Sequence, residues 1–325
     1  MNDQVTAQAA VHPSMSKRRE SVLRRWLAQW DLQSMAIPSI LFLILFSYVP
    51  MWGVLLAFKD YDLFRGFIDS PWAGMKYFNL FFSSPDFWLV MRNTLIISLL
   101  KLVIVFPAPI VLALMMNEVR MLAFKRIVQT VTYLPHFLSW VIVGGFAISL
   151  LAVDGGSLNG ALLSLNLIDE PVNWLSTPSY FYSILISANV WKDIGFNSIV
   201  YLAAIAGVNP NLYEAAAMDG ASRLKQIIVV TLPSIMPVII IFFILAMGNI
   251  LNAGFEDILV LTNNGNNAIL MDKANVIDTY VLETGVRQQQ YSYGTAAGLF
   301  KSLINVILLL GANYVTRRLG KESLW

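Results

Sequence analysis

Residues 213–255 read YEAAAMDGASRLKQIIVVTLPSIMPVIIIFFILAMGNILNAGF. From Ser234 to Phe255 this stretch carries no Asp, Glu, Lys or Arg, and it exceeds the roughly 20 residues that cross about 30 Å of hydrocarbon at about 1.5 Å per residue. Met35 to Phe58 and Ile127 to Val153 are likewise uncharged. Runs of this length are too long for buried helices of a soluble core. The whole chain agrees: 57% of its 325 residues are hydrophobic and 13% charged, against about 25% charged in an ordinary soluble domain. Cysteine is absent, which excludes disulfides, thiolate metal sites and thiol nucleophiles. A net charge of +2 gives no reason to expect nucleic acid as a partner.

Three further spans are interrupted by single charges or one charged pair. Thr94 to Asn117 holds Lys101, Gly294 to Val315 holds Lys301, and Tyr180 to Val208 holds Lys192 and Asp193. The sequence therefore predicts an all-α, polytopic integral membrane protein with six transmembrane helices, at about 35–58, 94–117, 127–153, 180–208, 234–255 and 294–315. An even number of crossings puts both termini on one side. Lys17, Arg18, Arg19, Arg24 and Arg25 precede the first span, Arg120, Lys125 and Arg126 fill the second loop, Arg223 and Lys225 the fourth, and Arg317, Arg318 and Lys321 the C-terminus. The opposite loops are much longer and loop 154–179 has no Lys or Arg, so the positive-inside rule makes both termini cytoplasmic.

Residues 1–34 form a cytoplasmic N-terminal segment rather than a cleaved signal peptide, because the basic cluster leads into a full-length span. Val22, Leu23, Trp26, Leu27 and Trp30 recur at helical spacing with arginines on the other faces, as in an interfacial helix or a partner-binding one. Residues 35–317 make the transmembrane domain and 318–325 a C-terminal tail.

The cytoplasmic loop 211–233 is the informative one. Glu214, Ala215, Ala216 and Ala217 favour helix, Gly220 breaks it, and apolar residues resume at helical spacing before Leu232-Pro233. Glu214, at the start of that helix, complements the positive end of its dipole. The register of Glu214, Ala215, Asp219, Gly220, Ala221, Leu232 and Pro233 resembles the EAA loop of permeases from binding-protein-dependent ABC importers. Ile227 stands where many sugar permeases carry an aromatic side chain. Phe46-Ser47-Tyr48-Val49-Pro50-Met51-Trp52-Gly53, Gly254-Phe255-Glu256-Asp257-Ile258 and Ala297-Gly298-Leu299-Phe300-Lys301-Ser302 are similar to the polysaccharide-type branch of these permeases, including those of alginate-oligosaccharide importers.

The resemblance implies a transport subunit of an ATP-binding-cassette importer in a bacterial inner membrane, carrying a sugar or oligosaccharide by alternating access. Its implied partners are a second homologous permease, a pair of ATPase subunits and a periplasmic substrate-binding protein. Glu214, Ala215, Ala216, Asp219, Gly220, Ala221, Ile227, Leu232 and Pro233 would make the coupling contact. ATP and Mg2+ would be held by the ATPases; the chain has no Gly-x-x-x-x-Gly-Lys-Ser/Thr loop, and no cofactor or metal site is expected in it.

Substrate contacts are read from polar residues within spans. Lys192 and Asp193 sit mid-span beside Trp191; they line a wet path, with Trp191 stacking on a sugar ring, or they pair with neighbouring helices. Asn249, Asn252 and Glu256 fall at helical spacing, so a helix there presents them on one face, for hydroxyl recognition or for interhelical hydrogen bonds. His136 has no acid or histidine at ligand spacing and reads as a packing residue. The alternative class is a polytopic membrane enzyme acting on glycans or peptides, which needs clustered carboxylates or a nucleophile with its base.

Overall fold

The computed structural model describes residues 30–320 and Ser323. The expected interfacial helix before Trp30 lies outside the described residues. Two units divide the chain, Met1–Gly53 and Val54–Trp325. In the first, the helix Trp30–Leu43 runs through the expected boundary at residue 34 and continues as a π-turn, Ile44–Tyr48. Its apolar side chains, Ile40, Phe42 and Phe46 among them, are exposed, as a helix facing hydrocarbon requires.

Four helical runs are long and apolar enough to cross a membrane: Gln33–Phe58, Phe87–Glu118, Arg223–Gly248 and Tyr291–Arg318. The Pro178–Ala206 helix has 29 residues, about 43 Å at ~1.5 Å per residue, and Lys192 and Asp193 set it apart in polarity. The third expected span is not one straight helix. Leu122–Phe137 and Trp140–Leu151 meet at 106°, which corrects the reading of 127–153 as continuous. Pro135 has no N–H to continue the helix; Leu134–Phe137 tightens to a 3-10 turn, Leu138 is extended, and Ser139 caps the new helix by accepting from the Ile142 N–H at 3.4 Å. The fifth span ends at Gly248 rather than 255, and Glu256–Leu261 is a separate helix.

Prolines and wide turns go together. The π-turns Ile44–Tyr48, Lys101–Val105 and Ile227–Thr231 lie shortly before Pro50, Pro107 and Pro233. A proline removes one backbone donor, and the extra residue of a π-turn rearranges the carbonyls around that gap while the helix continues. The Phe106 N–H, for instance, donates to the Lys101 carbonyl at 2.9 Å.

The Pro178–Ala206 helix is central within the second unit. It packs on Ala108–Glu118, Leu122–Tyr133 and Leu232–Gly248, burying Ile110, Ala113, Tyr201, Ile205 and Ile235 in one apolar cluster. Tyr291–Arg318 packs on Leu232–Gly248, Val281–Arg287 and Lys76–Phe82. Loops are knotted by side chains. Buried Asn159 donates to the carbonyls of Ala152 and Val172 and accepts from the Val172 N–H and the Trp174 indole, so all its hydrogen-bonding capacity is used. In loop 59–86 the Lys76 ammonium and the Tyr77 hydroxyl bond the Asp60 carboxylate and hold it below the usual carboxylate range.

Gly195 allows a close approach of two helices. A Cβ there would lie 2.1 Å from the Thr132 carbonyl oxygen, a backbone atom that cannot swing aside. Gly195→Ala should therefore destabilise the protein by about 1–3 kcal/mol, seen as a lower unfolding temperature in detergent. Gly145→Ala, with open space around its Cβ, should leave that temperature unchanged or slightly raised.

Candidate functional site

The loop between Pro178–Ala206 and Arg223–Gly248 folds as a short helix and a sharp turn. Asn209 caps it, accepting from the Asn211 N–H at 3.0 Å, and Pro210 takes the first helical position. The helix is Pro210–Met218, so Glu214 lies beyond its first turn. This corrects the expectation that Glu214 meets the helix dipole at its start. At the other end the Gly220 N–H donates to the Ala217 carbonyl and the Ala221 N–H to the Ala216 carbonyl, with Gly220 at φ +77°. That is a Schellman closure, which glycine adopts without steric cost. Ser222 then caps Arg223–Gln226 by accepting from the Lys225 N–H.

Two contacts tie this loop to the spans. The Tyr213 hydroxyl meets Thr231 Oγ1 at 3.0 Å on the π-turn Ile227–Thr231, and Arg223 pairs with Glu118 at 3.2 Å at the end of the Phe87–Glu118 run. Ala216, Ala221, Ile227 and Leu232 are partly covered, whereas Glu214, Ala215, Asp219, Gly220 and Pro233 are exposed. Leu212, Leu224 and Met218 are also exposed, Met218 to 89%. A short helix offering Met218 and Leu212 beside Glu214 is suited to seating in a partner's groove.

Two cavities open among the spans, of about 500 and 620 Å³, and share Asn249 and Asn252 on their walls. Ser98, Lys101, Asn197 and Tyr201 contribute polar groups to the first; Asp278, Lys301 and Asn305 to the second. The helix ends at Gly248, so the two asparagines sit on the irregular segment behind it, not on a helix face shared with Glu256. They bond each other, Asn252 donating to Asn249 at 3.0 Å. Asn305 fixes the segment by accepting from the Leu251 N–H at 3.1 Å. Glu256 starts the next helix, is exposed, and lies on neither wall.

The mid-span residues of Pro178–Ala206 go elsewhere. Buried Lys192 donates to the carbonyls of His136 and Leu138 at 2.7 and 2.8 Å, and Asp193 meets His136 Nδ1 at 2.8 Å. The His136 ring stacks on Phe196 at 3.8 Å. These side chains hold the break in the third span together, which favours pairing over the wet-path reading. Trp191 lines a separate apolar pocket of about 630 Å³ with Phe146, Trp174 and Tyr180, away from the asparagines' cavities.

Sequence reasoning passed over the cavity cations. Lys101 pairs with Asp257 at 2.7 Å and Lys301 with Asp278. The signal was available, since each lysine is the sole charge within its expected span and an ionisable residue at that depth is a functional candidate by default.

Comparison with known proteins agrees with this architecture. The family described as binding-protein-dependent transport system inner membrane component matches residues 105–321. The polygalacturonan/rhamnogalacturonan transport system permease protein YteP of Bacillus subtilis is 42% identical over 95% of this chain and 94% of its own length. A crystal structure of a bacterial ABC transporter involved in the import of the acidic polysaccharide alginate contains a chain of TM-score 0.84 and 39% identity, covering 93% of this chain and 100% of that one. A second structure of the alginate transporter, in complex with alginate pentasaccharide-bound periplasmic protein, matches with the same TM-score and identity. This chain belongs to the family of inner-membrane components of binding-protein-dependent transport systems.

Proposed function

We propose that this chain is one of two related permease subunits of an importer that carries an acidic oligosaccharide through the inner membrane, driven by a pair of ATPases and supplied by a periplasmic binding protein. The observation that carries the reading is the pair of cavities meeting at Asn249 and Asn252. Amides offer a donor and an acceptor each, which suits a succession of hydroxyls passing one point. Acidic cargo is supported by the relatives, one named for polygalacturonan and rhamnogalacturonan and the other involved in import of alginate. Family membership favours transport over the membrane-enzyme alternative.

ATP and Mg2+ bind in the partner ATPases in this reading, and the Pro210–Met218 helix is the part they push. The Tyr213 to Thr231 and Arg223 to Glu118 contacts pass its movement to two spans. Alternating access is then a shift between two packings, biased from opposite sides by nucleotide and by binding protein. Both termini lie in the cytoplasm, on the side of the basic loops.

Three outcomes follow. At Gly220 open space surrounds the missing Cβ, so a substitution acts through the backbone; a non-glycine residue in the left-handed region costs about 1–2 kcal/mol, and a β-branched one more. Gly220→Val should abolish coupled uptake and stimulated ATP hydrolysis in the reconstituted complex. Gly220→Asn, which tolerates positive φ, should keep most of both, and Glu214→Ala should fall between. Normal coupled transport by Gly220→Val would remove the loop from the transmission.

Asn249→Leu and Asn252→Leu should each slow uptake about tenfold, roughly the loss of one or two hydrogen bonds at ~1 kcal/mol each, with complex yield unchanged. Glu256→Leu, off both cavity walls, should transport like wild type. Equal defects in all three would detach the effect from the cavities.

The chain has no cysteine, so single cysteines report sidedness cleanly. Arg318→Cys should be shielded from an impermeant thiol reagent added to intact spheroplasts, and Asp169→Cys should react. The reverse pattern would invert the topology.

A further inference from the structure

The two cavities each hold one cation, and each cation is neutralised by one aspartate. Lys101 Nζ lies 2.7 Å from Asp257 Oδ2, and Lys301 Nζ bonds Asp278 Oδ1. Partly buried pairs of this kind are a weak source of stability, because desolvating both charges offsets much of their attraction. The placement of both lysines on cavity walls asks for another explanation.

The surroundings of the first pair are lopsided. Besides Lys101, the Asp257 carboxylate accepts from the Asn189 amide at 3.0 Å and from the Ile258 N–H at 3.0 Å. Among the described residues Lys101 donates to Asp257 alone. If the ammonium turns away, the carboxylate keeps two donors, whereas the ammonium needs another anion. Gly254, at φ +122°, leaves room for the pair: a Cβ there would lie 2.3 Å from Asp257 Oδ1 and 2.7 Å from Lys101 Nζ. One turn before Lys101, buried Ser98 lines the same cavity, and its hydroxyl is without a hydrogen-bond partner among the described residues. A free hydroxyl beside a cation whose counter-ion is otherwise satisfied is a half-built carboxylate site.

We propose that Lys101 and Lys301 are the carboxylate-recognising cations of the translocation path, and that a uronate carboxylate of the substrate displaces Asp257 and Asp278 from them in passing. The displaced aspartate stays within reach and competes for its lysine, so the substrate meets no deep electrostatic well and is released again. A neutral sugar cannot make the exchange, and specificity for acidic cargo follows. Asn249 and Asn252, between the two cavities, would contact the hydroxyls of rings whose carboxylates reach toward the lysines. This rests on the acidic-oligosaccharide reading above.

The test uses the whole importer with its binding protein in proteoliposomes. Uptake of short oligogalacturonate and of alginate oligosaccharide is compared with uptake of the carboxyl-reduced, neutral form of each. The same binding protein serves every variant, so its own preference cancels when the acidic-to-neutral ratio is referred to wild type. Lys101→Met and Lys301→Met should lower that ratio about tenfold or more, as expected for one charge-assisted hydrogen bond. Lys101→Arg should restore most of it. Asp257→Asn should lower the half-saturating concentration of the acidic form without lowering the ratio, since Lys101 is then free. Equal losses for acidic and neutral sugars in the lysine variants, or a complex that fails to assemble in Lys101→Arg, would make the pairs structural and overturn the exchange. A wild-type complex that carries the neutral forms and not the acidic ones would overturn the substrate class itself, an outcome distinct from the first.

Discussion

Lys192 reaches from the middle of the Pro178–Ala206 helix to the carbonyls of His136 and Leu138, the groups left open where the preceding run breaks by 106°. The rest of the structure depends on this constraint: away from water, a broken helix survives only if side chains satisfy the backbone it frees. With the break secured, Leu122–Tyr133 can lie against Pro178–Ala206, and the absence of a side chain at Gly195 sets how closely. The His136 and Asp193 pair, stacked on Phe196, closes the same joint. A charged pair that looks extravagant in a membrane span is thereby local and structural, and its cost is met by three polar contacts at the break.

Much of the fold is legible because hydrophobic length is a one-dimensional signal. The uncharged runs from Met35 and from Ser234 locate two of the four membrane-length runs, the run from Ile127 falls on the bent pair, and single lysines do not hide the other two. The break at residues 134–139 is less visible, since Leu134, Phe137 and Leu138 are as apolar as the residues on either side. Pro135 marks it, yet prolines at 38 and 237 sit inside helices that continue; what differs is whether neighbouring side chains capture the freed carbonyls, a tertiary fact. The start of the Pro210–Met218 helix is another case. Asn209-Pro210 is a readable helix start, and taking Glu214 as the first residue passes over it.

The polar path shows the opposite balance. Asn249 and Asn252 are singled out by composition, but a helical face is the wrong geometry for them, because the helix ends at Gly248. Their place on two cavities depends on Asn305, which comes from the last span to hold Leu251. Partners of this sort lie far apart in sequence, as do Lys101 and Asp257, and spacing cannot announce them.

Breaks therefore supply part of the chemistry. An intact membrane helix bonds every interior backbone group to itself and presents side chains at fixed angles; where it stops, amides cluster on irregular backbone and turn toward a shared opening. The end at Gly248 places two asparagines between two cavities, the left-handed Gly254 leaves space for a lysine and an aspartate, and the Schellman turn at Gly220 closes a short exposed helix. Each region is tied to another segment: by Asn305, by Asn189, and by the Tyr213 contact with Thr231. In the proposed importer, movement of the Pro210–Met218 helix pulls on Thr231 and, through the Leu232–Gly248 helix, on the segment that carries the asparagines. The helical run Arg223–Gly248 joins the two regions: Thr231, near its start, receives the Tyr213 contact, and the segment with the asparagines follows its end.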